Sequence, residues 1–278
     1  MVNHWFLSRL YQWTELSKHR PISRKQALSE YIPKTAGKLL LETELRSYVK
    51  CSEFYRRGGE IEESFGLRVV RNATEKAINL FLKGKIKEPL TDIQSCLLKA
   101  ITECNADENL LSPQLTKYMH SCLLWLREFF ELFPLKNYEP VLGKIQPIVK
   151  IAKTPIKLEF SGIFRSKKYR TVHGVTFSPF GSEHSMMNDP SIPLKLKVLE
   201  SICCRRGSRE KAVLHVFAIG KNDNLNYHSI SSDKLNPRSI RSLESIIMGM
   251  EREVYFPVIP CHHSCPFKTT CLPDAKGN

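Results

Sequence analysis

IKLEFSGIFRSKKYRTVHGVTFS, residues 156–178, is the stretch on which the fold class turns. Residues 156–164 and 169–178 are rich in β-branched and aromatic side chains, and a short basic turn, 165–168, separates them. Two such runs around a short polar turn read as the strands of a basic hairpin.

Upstream of the hairpin the apolar period is helical. Residues 63–82, ESFGLRVVRNATEKAINLFL, place Phe65, Val69, Ala73, Ile78 and Leu82 near one helix face, with Glu75 in the middle and Gly84 as the stop. Two more helices are expected over 91–104 and 113–133, and the LLWLREFFELF run in the second, Trp125 included, is expected to pack inward. Residues 1–50 read as a helical layer, with one helix from Ser23 to the Pro33 break and another over 36–49.

Downstream, a loop rich in Gly, Ser, Asn and Pro covers 179–193. A helix over 194–204, strands over 212–219 and 227–230, and a helix over 236–252 follow it. The expected class is α/β, with an N-terminal helical segment, 1–50, and a main domain, 51–278.

Of the 278 residues, 42% are hydrophobic, enough for an ordinary buried core. The 42 Lys and Arg residues against 28 Asp and Glu leave a net charge of +14, which favours a polyanionic partner, with DNA the leading candidate. No run of about 18 uncharged apolar residues occurs, and His4 and Arg9 interrupt the opening segment, so a cytoplasmic protein without a membrane partner is expected.

Nine cysteines in such a chain point to metal ligands or buried thiols rather than disulfides. Cys96, Cys104, Cys122, Cys203 and Cys204 show no ligand spacing and read as core or surface thiols. Cys261, Cys265 and Cys271 crowd three thiols into a tail turned by Pro260, Pro266 and Pro273. Thiolates at this density select an iron–sulfur cluster or zinc. Cys51, opening a Cys-x2-Phe-Tyr-Arg-Arg segment, is the best-placed fourth ligand, and a metal holding all four closes a loop of nearly the whole domain. His262 and His263 keep a mixed Cys/His zinc site open.

Cys51 with Phe54, Phe256-Pro257 after the terminal helix, Cys265-Pro266-Phe267 and Cys271 together resemble the iron–sulfur branch of the PD-(D/E)XK nuclease superfamily, over roughly residues 45–275. That branch includes the RecB- and AddB-type nuclease domains and the CRISPR-adaptation exonucleases. The three residues between Cys261 and Cys265 depart from the usual two. The resemblance implies a restriction-endonuclease-like mixed sheet core flanked by helices, a C-terminal cysteine clasp around a 4Fe-4S cluster, and DNA as substrate or ligand.

Cleavage in that family needs carboxylates that hold Mg2+ or Mn2+ and a lysine that offsets developing charge. By the resemblance, Arg71 takes the place of a histidine and Glu75 matches the first acid. The following acid position falls on Arg165, and the final acid and lysine fall on Thr176 and Ser178. Glu159, Glu183 and Asp189 read as solvated carboxylates rather than displaced ligands. The expectation is a degenerate nuclease that binds DNA as a subunit of a DNA-processing complex, with Arg165, Lys167, Lys168 and Arg170 contacting phosphates. An active exonuclease or endonuclease and a zinc-stabilised protein-interaction scaffold are the alternatives. His173, His215 and His228 are assigned no role.

Overall fold

The computed structural model describes residues 39–51, 55–56, 58, 61, 63–86, 92–108, 112–151, 154–182, 184, 186, 188–203, 211–220, 224–234 and 237–251. The chain is a mixed α/β protein that divides into two compact units. One comprises the described residues of Met1–Glu62, Ile148–Leu158 and Asn236–Asn278, and the other those of Glu63–Pro147 and Glu159–Leu235. These boundaries differ from the division at residue 50 expected above, because each unit is assembled from segments far apart in the chain.

The first unit holds β1 (Leu40–Leu41), α1 (Glu42–Lys50), β3 (Ile148–Ile151), β4 (Thr154–Lys157) and α6 (Pro237–Glu251). Its three strands lie in the order β1-β4-β3, β1 parallel and β3 antiparallel to β4. The helix expected over 36–49 therefore starts later, because Leu40 and Leu41 are extended and pair with Ile156 and Lys157. Glu44 accepts a hydrogen bond from the Leu41 N–H at 2.8 Å and so satisfies a donor at the start of α1. Pro237 begins α6, where a missing N–H costs nothing, and Leu243, Ile247 and Met250 form its buried stripe.

The second unit holds α2 (Phe65–Leu82), α3 (Ile93–Glu108), α4 (Ser112–Leu132), β2 (Tyr138–Leu142), β5 (Gly162–Ser166), β6 (Thr171–Phe177), α5 (Ser191–Cys203), β7 (Lys211–Ile219) and β8 (Leu225–Ser231). Its five-stranded sheet runs β2-β5-β6-β7-β8, with β6 and β7 parallel and every other pair antiparallel. The parallel pair is joined through α5, as a parallel connection requires.

Ser64 caps α2, its hydroxyl accepting from the Leu67 N–H at 3.3 Å, and Gly84 ends the helix with a φ of 63°. Helices α2, α3 and α4 bury a common apolar core with Phe164, Val175, Phe177 and Phe217 of the sheet. Phe129 sits at its centre, its ring 4.5 Å from that of Phe217. Trp125 packs inward as its spacing predicts, and Cys96, Cys104 and Cys122 are buried core thiols. Burial pushes the Cys122 thiol up to about 12.

The strand expected over 156–164 is in fact two. β4 ends at Lys157 in one sheet and β5 begins at Gly162 in the other. An unbroken apolar alternation carries no mark of a change of sheet. β2 and β3, short and interrupted by Pro140 or bounded by Pro147, were not expected from the sequence. Among the described residues, no helix is long and apolar enough to cross a membrane.

Candidate functional site

The chain turns from Leu142 through Lys144 to Ile145, and Ile145 forms an antiparallel bridge with Phe160. Both hydrogen bonds of the bridge are made, Ile145 N–H to Phe160 O at 3.0 Å and Phe160 N–H to Ile145 O at 2.9 Å. The bridge sets Lys144 and Gln146 beside Glu159. Helix α2 brings Arg71 and Glu75, one turn apart on one face, to the same place.

The ammonium of Lys144 lies 2.9 Å from Glu75 Oε2 and 2.8 Å from Glu159 Oε1. Ser161 donates its hydroxyl proton to Glu75 Oε1 at 3.1 Å. Arg71 Nη1 donates to Glu63 Oε1 at 2.9 Å and reaches Glu159 Oε2 at 3.5 Å. From the other side, α5 sends Lys195 inward. Its Nζ donates to Thr176 Oγ1 at 2.6 Å, and Thr176 donates to the backbone carbonyl of Glu159 at 3.3 Å. Two helices and the entry to β5 thus converge on Glu159.

Electrostatics separate the two central acids. Burial pushes the Glu75 carboxyl above its usual range, against the opposing pull of Lys144 and Arg71. Burial also works to raise Glu159, but Arg71 and Lys144 outweigh it and hold that carboxyl down at about 2. Burial would lower Lys144, yet Glu75 and Glu159 together push it up. Its two acidic partners hold Lys144 in the charged ammonium form, clamped between Glu75 and Glu159.

The geometry corrects the solvated reading of Glu159 and Asp189. Glu75 is a buried residue, only 6% exposed, whose carboxylate is the partner of Lys144 and Ser161. Glu159 is no solvated carboxylate; it shares a cation with Glu75, 84 positions away in the chain, a distance no local pattern could connect. Asp189, expected in a solvated loop, is 2% exposed and accepts from the Ser191 N–H at 2.9 Å and the Ser178 hydroxyl at 3.4 Å at the start of α5. Glu183 lies outside the described residues.

Thr176 and Ser178, which occupy the positions where the resemblance implies an acid and a lysine, are buried and hydrogen-bonded. Arg165 is half-buried on β5, its Cα opposite that of Glu139 on β2. It stands apart from Lys167, Lys168 and Arg170, which are exposed on the hairpin turn.

Lys144 and Lys195 were not anticipated. Nothing in the sequence around Lys144 marks it. Lys195 carried a signal, since it stands three residues after Ile192 and four before Leu199 on the apolar stripe of its helix, where a charge must find a partner.

Of the clasp, Cys51 is described. It follows α1 as a buried thiol, 7% exposed, with its N–H bonded to Ser47 O at 3.1 Å. Cys261, Cys265 and Cys271 lie outside the described residues. Four cysteine thiolates are a donor set suited to a 4Fe-4S cluster. For a divalent ion the fit is poor. Among the described residues no three Asp, Glu, His or Cys side chains are grouped to hold a metal, and the Lys144 ammonium already bridges the two carboxylates that could.

No protein-family model matches the chain, and no curated protein matches it. Among solved structures, the crystal structure of SSO0001 aligns over 89% of this chain and 93% of its own, at 13% identity and a TM-score of 0.37, a likeness too slight to carry an argument.

Proposed function

We propose that this protein binds DNA through a nuclease-type α/β domain that no longer cleaves it, carries a 4Fe-4S cluster on Cys51, Cys261, Cys265 and Cys271, and works as a subunit of a DNA-processing complex. One observation carries the reading: Lys144 stands between Glu75 and Glu159, so the chain's own cation fills the space that a divalent ion would need. Arg165, Thr176 and Ser178 at the remaining acid and base positions support it, because none of them supplies a carboxylate. The net charge of +14 supports a phosphate-rich partner.

The chain's residues would then act by binding rather than by chemistry. Exposed Lys167, Lys168 and Arg170 neutralise phosphates. Arg71, Lys144 and Lys195 hold Glu75 and Glu159 so that the entry to β5 keeps its shape. The cluster, when bound, ties the C-terminal tail to Cys51 and contributes folding free energy.

A second reading is favoured by the convergence itself. Two carboxylates and two lysines meet at one end of a sheet, which is the raw material of metal-dependent phosphodiester hydrolysis if Lys144 swings away. Incubating purified protein with end-labelled single- and double-stranded DNA in Mg2+ or Mn2+ decides between them. The binding reading expects intact DNA and a salt-sensitive complex. Metal-dependent degradation that disappears in Glu75→Ala overturns it in favour of the enzyme.

A further inference from the structure

The turn between β5 and β6 presents an aromatic ring among cations. Tyr169 is 62% exposed, the most exposed of the large apolar or aromatic side chains described. An exposed tyrosine at a loop tip buries little, so its contribution to stability is small and its ring is open to a partner.

The turn that carries it is well ordered by its own hydrogen bonds. The Ser166 hydroxyl accepts from the N–H of Tyr169 at 3.0 Å and of Lys168 at 3.3 Å, and Tyr169 O accepts from the Thr171 N–H at 2.9 Å. Lys167 N–H donates to Asn137 O at 3.2 Å, and its Nζ donates to Lys136 O at 2.9 Å, which anchors the turn to the segment before β2. The Lys168 ammonium sits 5.3 Å from the centroid of the Tyr169 ring. With a cation over one face, the opposite face is left to a planar partner.

The charge of the turn itself is one-sided. Residues 165–170 contain four cations and no acid. Asp233, near the neighbouring strand end, is taken up by Lys211 Nζ at 2.9 Å, while Lys211 N–H donates to Arg170 O at 3.2 Å. A fixed aromatic face flanked by Lys167, Lys168 and Arg170 matches what single-stranded nucleic acid requires: a base to stack and phosphates on either side to neutralise. A duplex offers the same phosphates but keeps its base faces stacked on one another, so that no face is left for the ring.

Resting on the DNA-binding reading above, we propose that the β5–β6 turn is a single-strand binding element in which Tyr169 stacks on an unpaired base while Lys167, Lys168 and Arg170 hold the adjacent phosphates. The stacking contribution is insensitive to salt, and the lysine contributions are not.

The test is fluorescence anisotropy of the full chain with a labelled oligo-dT of about 20 nucleotides and with a duplex of the same length, at several salt concentrations. The expected result is tighter binding to the single strand and a loss of about 10-fold for Tyr169→Ala, the size of one base–aromatic stack. The salt slope and duplex affinity of Tyr169→Ala stay unchanged, and Tyr169→Phe binds as the parent does. Lys167→Glu with Lys168→Glu weakens both oligonucleotides and flattens the salt slope. If Tyr169→Ala binds oligo-dT as the parent does while the double lysine variant is weakened, stacking is wrong and DNA binding stands. If Tyr169→Phe loses as much as Tyr169→Ala, the hydroxyl rather than the ring makes the contact, and stacking again fails. If the parent binds neither oligonucleotide, both this proposal and the DNA-binding reading fall.

Discussion

His173 Nδ1 lies 2.8 Å from His215 Nε2, deep in the sheet of the second unit. The contact is the centre of a chain that crosses three strands, from Thr171 Oγ1 through His173 and His215 to the Tyr227 hydroxyl, each link 2.7 or 2.8 Å. Two neutral imidazoles satisfy every link with one proton each, whereas two protonated rings would face N–H against N–H. Burial pushes His173 down to about 4, and burial with the charge of its neighbour pushes His215 down to about 3. Unfolded, both take a proton near 6.5. The folded pKa values are depressed, so the stability is fully present above pH 6.5 and is lost as pH falls toward 4 and then 3. Unfolding free energies from denaturant titrations between pH 7 and 4.5 are expected to fall by about 1.4 kcal/mol per pH unit for each histidine in the steep part of that window. In a His173→Leu, His215→Phe variant the part of the slope that these two histidines contribute should vanish, whatever its stability at pH 7.

Lys144 separates two carboxylates, so removing its charge leaves Glu75 buried against Glu159. Lys144→Met is expected to cost about 1–3 kcal/mol at pH 7, less than a fully buried pair because Lys144 is partly open to solvent. The loss should be smaller at a lower pH than at pH 7, because burial already raises the Glu75 carboxyl and a protonated Glu75 no longer repels its neighbour. Urea titrations of both proteins at the two pH values check this. An equal deficit at both would mean that Lys144 acts by packing alone.

Two glycines should differ in cost. A methyl at Gly174 would meet the Leu199 side chain at 2.7 Å and Phe160 at 3.1 Å, while one at Gly181 would collide with the backbone carbonyl of Ile219. A side chain can shift and a paired strand cannot, so Gly174→Ala is expected to cost about 1–2 kcal/mol and Gly181→Ala about 3 kcal/mol or more. Thermal or urea unfolding ranks them.

The proposed cysteine clasp predicts metal. Anaerobically purified protein is expected to be brown, with about four iron and four sulfide per chain and a broad absorbance near 400 nm. Cys51→Ser and Cys265→Ser should each lose most of it and unfold at lower denaturant, since metal binding and folding are linked. Zinc in place of iron would favour the scaffold reading.

Much of this was readable in advance. The helices over 65–82, 93–108 and 112–132 follow from a 3.6-residue apolar period, and the basic turn after β5 from its cluster of cations between two β-rich runs. The sites of error were the short strands. Leu40–Leu41 looked like helix because two residues show no period, and 156–164 looked like one strand because alternation is blind to which sheet a residue joins.

The sequence by itself determined the helices of the second unit, the strands after β5 and their order, the basic character of the hairpin, and the inward packing of Trp125. Those depend on residues close in the chain, whose spacing alone sets which face is apolar. Only the tertiary structure decided that Glu159 would join Glu75 on Lys144, that Lys195 would reach Thr176, and that two histidines without motif would bond across neighbouring strands. Each of those contacts is made by pairing between distant segments, and hydrogen-bond register between strands leaves no periodic trace in either partner.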